Sequence, residues 1–289
     1  MSLVMEKQTA RTVPTRFIET NGRTLAYRMF GDGPPLILCL RLRGVMDVWD
    51  PAFLDALAEN FTVIIFDYSG LGQSTGTATY DRASLARDAK DLIDALGIDK
   101  VVIGGWSLGG VAAQIFTALY PERTSHAILI GTVPPGEQPH GAEPIFLPTA
   151  LKPDYTLEDE YILFFEPESA KSRAAADASH ARIASRTADR SPPVPEETYL
   201  RIVRESHDPK AVFPDHSGRY AELLANGAVP LLAICGDHDV VFPVENWYAL
   251  NREWTSLHIM TFPQAGHGPQ HQHPELCADM IASFVRNTA

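Results

Sequence analysis

A chain of 289 residues, 45% apolar and 21% charged, has the composition of an ordinary soluble globular protein, and α/β proteins of this length commonly form one core with an elaboration. Its formal net charge is −12 and no run of Lys or Arg interrupts the acidic balance, which excludes the basic footprint that nucleic-acid phosphates require. No stretch of about 18 apolar residues occurs, so no membrane partner is expected, and the first sixteen residues carry no apolar run of signal-peptide length.

Cys39, Cys235 and Cys277 are odd in number, and the first two lie inside apolar runs. No disulfide framework is implied, and a reduced, cytoplasmic protein is expected. The excess acid, as in Asp154 to Glu160 and in Glu196-Glu197, reads as solvated surface.

From the amino terminus, Phe17 to Phe30 alternates around Asn21-Gly22, a dipeptide that tolerates the positive φ of a tight hairpin turn. Leu36-Ile37-Leu38-Cys39-Leu40 follows a Gly/Pro-rich turn and is too short for a helix. It reads as a strand covered on both faces, as do Thr62 to Phe66, Val101 to Ile103 and Leu231 to Ile234. Parallel strands need crossovers. Leu85, Ala89, Leu92, Ile93 and Leu96 share one helical face before a Gly97 stop, and Val111 to Tyr120 forms another helix closed by Pro121. Near the end, Leu276, Met280, Ile281 and Phe284 mark an apolar face after Pro274.

The run 133–215 breaks this rhythm with prolines, acids and two helix-like stretches, Glu168 to Arg186 and Glu196 to Glu205. Its Ala/Ser-rich part, Lys171 to Ser185, favours helix. The expected fold class is α/β: a doubly wound, mostly parallel sheet with an N-terminal antiparallel hairpin and an inserted helical cap. The core then comprises 1–132 and 216–289, and the cap 133–215.

Gly105-Trp106-Ser107-Leu108-Gly109 stands directly after the strand Lys100 to Gly104 and directly before a helix, which is the setting a G-x-S-x-G nucleophile turn requires. The sharp turn leaves no room for side chains at its glycines, and the Leu108 N–H at the helix start can donate to an oxyanion. A serine hydroxyl needs a base, itself oriented by a carboxylate. Gly236-Asp237-His238-Asp239 follows one strand and Gly266-His267-Gly268 follows another, Leu257 to Phe262. Both sites therefore lie at carboxyl ends of strands, the rim where open α/β sheets bind ligands.

With these motifs in the order Ser, Asp, His, the sequence resembles the α/β-hydrolase superfamily over nearly its whole length outside the cap. The resemblance makes Ser107 the nucleophile, His267 in Ala265-Gly266-His267 the base, and Asp239 the acid of a G-x-x-D-x-x-x-P pattern running from Gly236 to Pro243. Asp237 is the fallback acid. Asp67-Tyr68-Ser69-Gly70-Leu71-Gly72-Gln73-Ser74 resembles the family's D-x-x-G-x-G-x-S turn, a structural feature.

One departure stands out: Leu40-Arg41 occupies the place where the family commonly has His-Gly. Trp49 lies as far from Leu40 as the family's aromatic lies from that His, so Leu42 should supply the second oxyanion N–H. Arg41 and Arg43 read as loop arginines, or as a fork of donors for a substrate carboxylate. Trp106, Phe164 and Phe165 are candidate pocket aromatics that core packing would equally explain. His238 is expected at the rim. His267, His271 and His273 match no hydrolase metal spacing, so no metal is expected, and the absence of a G-x-G-x-x-G after a strand leaves no support for a nucleotide cofactor.

The resemblance thus implies a cofactor-independent hydrolase of a carboxylic ester, thioester or lactone. Its partner is a small, largely apolar substrate, with a homodimer left open. Carbon–carbon bond hydrolysis, amide cleavage and perhydrolase or haloperoxidase-like chemistry run on the same triad. A non-catalytic ligand-binding protein is the rival outside enzymes. Relatives that cleave haloalkanes or epoxides use an aspartate where Ser107 stands, which disfavours those activities.

Overall fold

The computed structural model describes residues 8–206 and 212–288. Eight strands form one sheet: β1 (Arg16–Thr20), β2 (Arg23–Phe30), β3 (Pro35–Cys39), β4 (Thr62–Phe66), β5 (Val101–Trp106), β6 (Thr124–Ile130), β7 (Leu231–Gly236) and β8 (Leu257–Phe262). Their spatial order is β1-β2-β4-β3-β5-β6-β7-β8. The β1–β2 and β2–β4 pairs are antiparallel, and every later pair is parallel. The hairpin turns at Asn21 (φ 48°) and Gly22 (φ 76°), the two consecutive positive values of a type I′ turn that matches strand twist.

β5 and β7 are buried along their whole length, as parallel strands covered on both faces must be. β6 was not among the expected strands. Its residues Ala127 to Ile130 are buried at the sheet centre, but Ser125 and His126 interrupt the apolar run that would announce it.

Helices alternate with the strands: α1 (Pro51–Leu57), α2 (Arg82–Ala95), α3 (Leu108–Leu119), then α4 (Phe146–Ala150), α5 (Leu157–Phe164), α6 (Ala170–Ala184), α7 (Glu196–Ser206) and α8 (Arg219–Ala225) between β6 and β7. After β7 come α9 (Glu245–Tyr248), α10 (Pro269–Gln272) and α11 (Pro274–Asn287). α2 starts where the Asp81 carboxylate accepts from Ser84 N and ends before Gly97 at φ 69°, the cap pattern expected of a helix C-terminus. α3 is buried from Leu108 to Ala118 and packs on β3, β5, β6 and α2. α11 differs from expectation in its face. Cys277, Ala278, Ile281, Ala282 and Phe284 are buried while Leu276 is 48% exposed, so small residues between the large ones carry the packing.

Polar ties bind the segment between β6 and β7 to the sheet side. Ser191 N donates to Asp47 Oδ2 at 2.7 Å and Ser191 Oγ to Asp67 Oδ2 at 2.6 Å. Arg182 pairs with Asp50 at 2.6 Å, and Asp47 also holds Arg28 at 2.7 Å. Asp67 lies at the centre of the glycine turn expected after β4. Its carboxylate additionally accepts from Met46 N and Gln73 N, and burial raises its pKa against these donors. The turn is therefore structural, and it is also an anchor for residues that follow β6.

Candidate active site

The G-x-S-x-G turn joins β5 to α3. Ser107 sits at φ 60°, ψ −120°, a conformation that costs a non-glycine residue about 1–3 kcal/mol and persists only where surroundings enforce it. Here Ser107 N donates to Ile130 O at 2.9 Å, while Ser107 O accepts from Gly110 N at 2.9 Å and Thr132 Oγ1 at 2.7 Å. A Cβ on Gly105 would stand 2.1 Å from Gly109 O, and one on Gly109 would stand 2.1 Å from Cys39 O. The helix start is thus wedged between two strand ends, and both flanking glycines are obligatory.

Asp239 and His267 converge from the ends of β7 and β8. Asp239 is 4% exposed, and its Oδ1 accepts from Val241 N at 2.8 Å and Phe242 N at 3.0 Å. His267 Nδ1 lies 2.9 Å from Asp239 Oδ2 and 3.1 Å from Oδ1. Two backbone donors fix the carboxylate, the carboxylate accepts a hydrogen bond from the Nδ1–H, and Nε2 is left as the basic nitrogen. The His267 carbonyl accepts from Trp106 Nε1 at 2.7 Å, so the residue before the serine props the histidine. The fallback acid Asp237 is exposed and accepts from Ala265 N at 3.3 Å, which steadies the loop leading to His267.

Ser107 and His267 line one cavity of about 170 Å³, together with Leu42 and Leu108. An apolar cavity of about 150 Å³ accommodates benzene, which sets the size of the group this space takes. Phe164, Phe242 and Phe146 make its walls largely apolar. Among the described residues Ser107 Oγ has no hydrogen-bond partner, and in free enzymes the serine–histidine bond often tightens only once substrate is bound.

The unusual loop keeps Leu42 at the cavity wall. Gly44 N donates to Arg41 O at 3.0 Å, closing a four-residue turn in which Arg43 takes φ 59°. Arg43 is held there by the segment after β6: its guanidinium donates to Ala150 O, Lys152 O and Pro153 O at 3.0, 2.7 and 2.6 Å and lies 3.9 Å from the Tyr199 ring centre. Three of its five N–H donors are spent on protein carbonyls and it is not among the residues lining the cavity, which removes Arg43 as a carboxylate fork. Arg41 does line the cavity, as expected of a substrate-contacting residue.

Two expected pocket aromatics are corrected. Trp106 is 1% exposed and lies behind the wall, packed on Phe164, His267 and His271. Phe165 is 2% exposed, and its backbone lies so close to Gly266 that a Cβ there would be 2.2 Å from Phe165 O. Phe164 alone of that pair faces the cavity. Among the wall residues the sequence did not single out are Tyr80 and Tyr155, beside Phe146 and Phe242. No local motif marks them.

His271 packs 4.7 Å from Trp106, where burial pushes its imidazole down to about 4, and His273 stacks on Phe262. His238 is at the rim as expected, but its Nδ1 pairs with the buried carboxylate of Glu166, which lies in the segment between β6 and β7. That bond raises the His238 pKa more than partial burial lowers it. A group with a raised folded-state pKa contributes stability fully below its unfolded value, about 6.5 for His, and loses that contribution as pH rises through the folded value. Glu166→Gln is expected to return the His238 titration towards about 6.5, read from its ring resonances by NMR, and to abolish the extra stability this pair supplies on the acid side.

The family model described as alpha/beta hydrolase fold matches residues 34–274, and the chain belongs to that family. An alpha/beta hydrolase fold protein from Chitinophaga pinensis superposes with a TM-score of 0.81 at 26% identity, over 97% of this chain and 100% of that one. A thermophilic esterase from Thermogutta terrifontis, solved with malate bound, gives 0.69 at 26% identity over 95% and 98%. A 2-hydroxy-6-oxononadienedioate/2-hydroxy-6-oxononatrienedioate hydrolase from Burkholderia vietnamiensis is 29% identical over 81% of this chain and 80% of its own length. The described residues contain no helix long and apolar enough to cross a membrane.

Proposed function

We propose that the chain is a cofactor-independent serine hydrolase that cleaves a carboxylic ester, thioester or lactone of a small, largely apolar substrate. The observation that carries this reading is the convergence of a strained Ser107 and an Asp239-oriented His267 on one apolar cavity. His267 Nε2 takes the Ser107 proton as Oγ attacks the carbonyl carbon, and the Leu42 and Leu108 N–H groups receive the oxyanion. The imidazolium returns the proton to the leaving group. Water, deprotonated by the same histidine, then releases the acid. The described residues within 133–215 act as a cap over the cavity, to which they contribute Phe146, Tyr155 and Phe164 among others. Three free, buried thiols suit a reducing, cytoplasmic setting.

Similarity to the Burkholderia vietnamiensis dienedioate hydrolase favours a second reading, carbon–carbon hydrolysis on the same triad. A fluorophosphonate probe with peptide mapping tests the first step of both, with labelling expected at Ser107. Parallel assays with p-nitrophenyl butyrate, a butyryl thioester, a butyryl anilide and a vinylogous 1,5-diketone separate the bonds. Labelling elsewhere, or none in a folded protein, overturns the serine mechanism and leaves a ligand-binding protein.

A further inference from the structure

Arg41 lines the cavity without a carboxylate partner among the described residues. Arg28, Arg182 and Arg23 each meet a carboxylate at 2.7 Å or less. Arg41 meets none among the described residues: NH1 donates to Leu42 O at 2.8 Å, and Nε is buried without a partner. The guanidinium lies 4.8 Å from the Phe164 ring centre and 5.2 Å from that of Trp106. Glu160, an acid whose charge reaches it, is paired instead with His180 at 3.1 Å. Burial accordingly lowers the Arg41 pKa. Stacking on two rings offsets only part of the cost of removing a guanidinium from water. A half-buried cation on a cavity wall, with its Nε buried and unpaired, is a ready partner for an anionic group entering that cavity.

We propose that the guanidinium of Arg41 binds a carboxylate carried by the substrate, so that this enzyme acts on anionic, carboxylate-bearing esters. This rests on the reading of Ser107 and His267 as hydrolytic groups, and it names the substrate class that site takes. Arg41 directly precedes Leu42, the oxyanion donor in that reading, so one turn aims both at a single substrate: Leu42 N–H at the reacting carbonyl and Arg41 at the charged end. The apolar walls bind the carbon chain between them. A neutral ester covers the half-buried Arg41 without pairing it, which makes charge the basis of discrimination.

The test compares two anionic esters with neutral counterparts: monomethyl glutarate (charge on the acyl arm) against methyl valerate, and O-butyrylglycolate (charge on the alcohol arm) against ethyl butyrate. Wild type is expected to prefer one anionic ester. In Arg41→Met that preference, as a ratio of kcat/KM values, is expected to fall by about 100-fold, chiefly through KM, the scale on which losing one partner of a buried charge pair acts. Arg41→Lys should recover part of it. Calorimetry of glutarate against neutral glutardiamide on Ser107→Ala gives a readout independent of turnover, with glutarate binding expected to disappear in the Ser107→Ala/Arg41→Met double variant. Equal losses on charged and neutral esters, or a charge preference that survives Arg41→Met, would make Arg41 a loop-shaping residue and overturn the proposal while the hydrolase reading stands. Arg41-dependent glutarate binding without turnover of any ester would instead overturn the ester-hydrolase reading and leave Arg41 as the carboxylate-binding group of the cavity.

Discussion

Ser107→Ala is expected to lower kcat for an activated ester by about 10⁴- to 10⁶-fold, the scale on which loss of the nucleophile acts in serine hydrolases. Removing Oγ removes the only atom able to form the acyl-enzyme. The two oxyanion donors and the cavity remain, so the residual rate should still exceed the uncatalysed one by about 10³-fold. Stability should scarcely change, because Oγ has no partner among the described residues and the bonds that hold the turn use the Ser107 backbone and Thr132 Oγ1. Steady-state kinetics and a melting curve on the same preparation check both halves. Retention of more than about a hundredth of the rate would mean that another group attacks, since no loss of the nucleophile in this mechanism is so mild.

Much of this arrangement was legible in the sequence because it depends on short-range chemistry. The Asn21-Gly22 turn, the strands at Thr62 to Phe66 and Leu257 to Phe262, and the nucleophile turn with its obligatory glycines each carry their reason in adjacent residues. So does the fixed order of Ser107, Asp239 and His267. What stayed hidden was set by contacts distant in the chain. β6 carries Ser125 and His126 on a central strand, and only its neighbours explain them. Arg43 reads as a loop arginine until Ala150, Lys152 and Pro153 arrive from more than a hundred residues away to take its donors. Trp106 and Phe165 looked like pocket residues because large aromatics near a catalytic serine suit either a wall or its backing. The distinction lies in one hydrogen bond to the His267 carbonyl and one close approach at Gly266. Glu166 carries no motif, and only folding brings it to His238.

The choice between two aspartates two residues apart supplies the second large effect. Asp239 accepts from Val241 N, Phe242 N and His267 Nδ1, three donors that a carboxylate satisfies and an amide cannot. In Asp239→Asn the side-chain oxygen must serve the two backbone N–H groups, since their loss would leave buried donors unpaired. The NH₂ group then faces His267 Nδ1. That nitrogen becomes an acceptor, the ring proton moves to Nε2, and Nε2 can no longer take the Ser107 proton. A fall in kcat of about 10⁴-fold is expected, the effect of forcing the wrong tautomer in a serine triad, with KM little altered because Asp239 lies behind the cavity wall. Asp237→Asn should stay within about tenfold, since an exposed side chain on one 3.3 Å backbone bond, which the Asn oxygen can still accept, touches no group of the triad. Comparing kcat of the two variants, with fluorophosphonate labelling rates as a second readout of serine activation, decides the assignment. Were Asp237→Asn the slower enzyme, the 2.9 Å bond between His267 and Asp239 would be a structural contact, and the base would have to be oriented from the exposed side of the β7 turn.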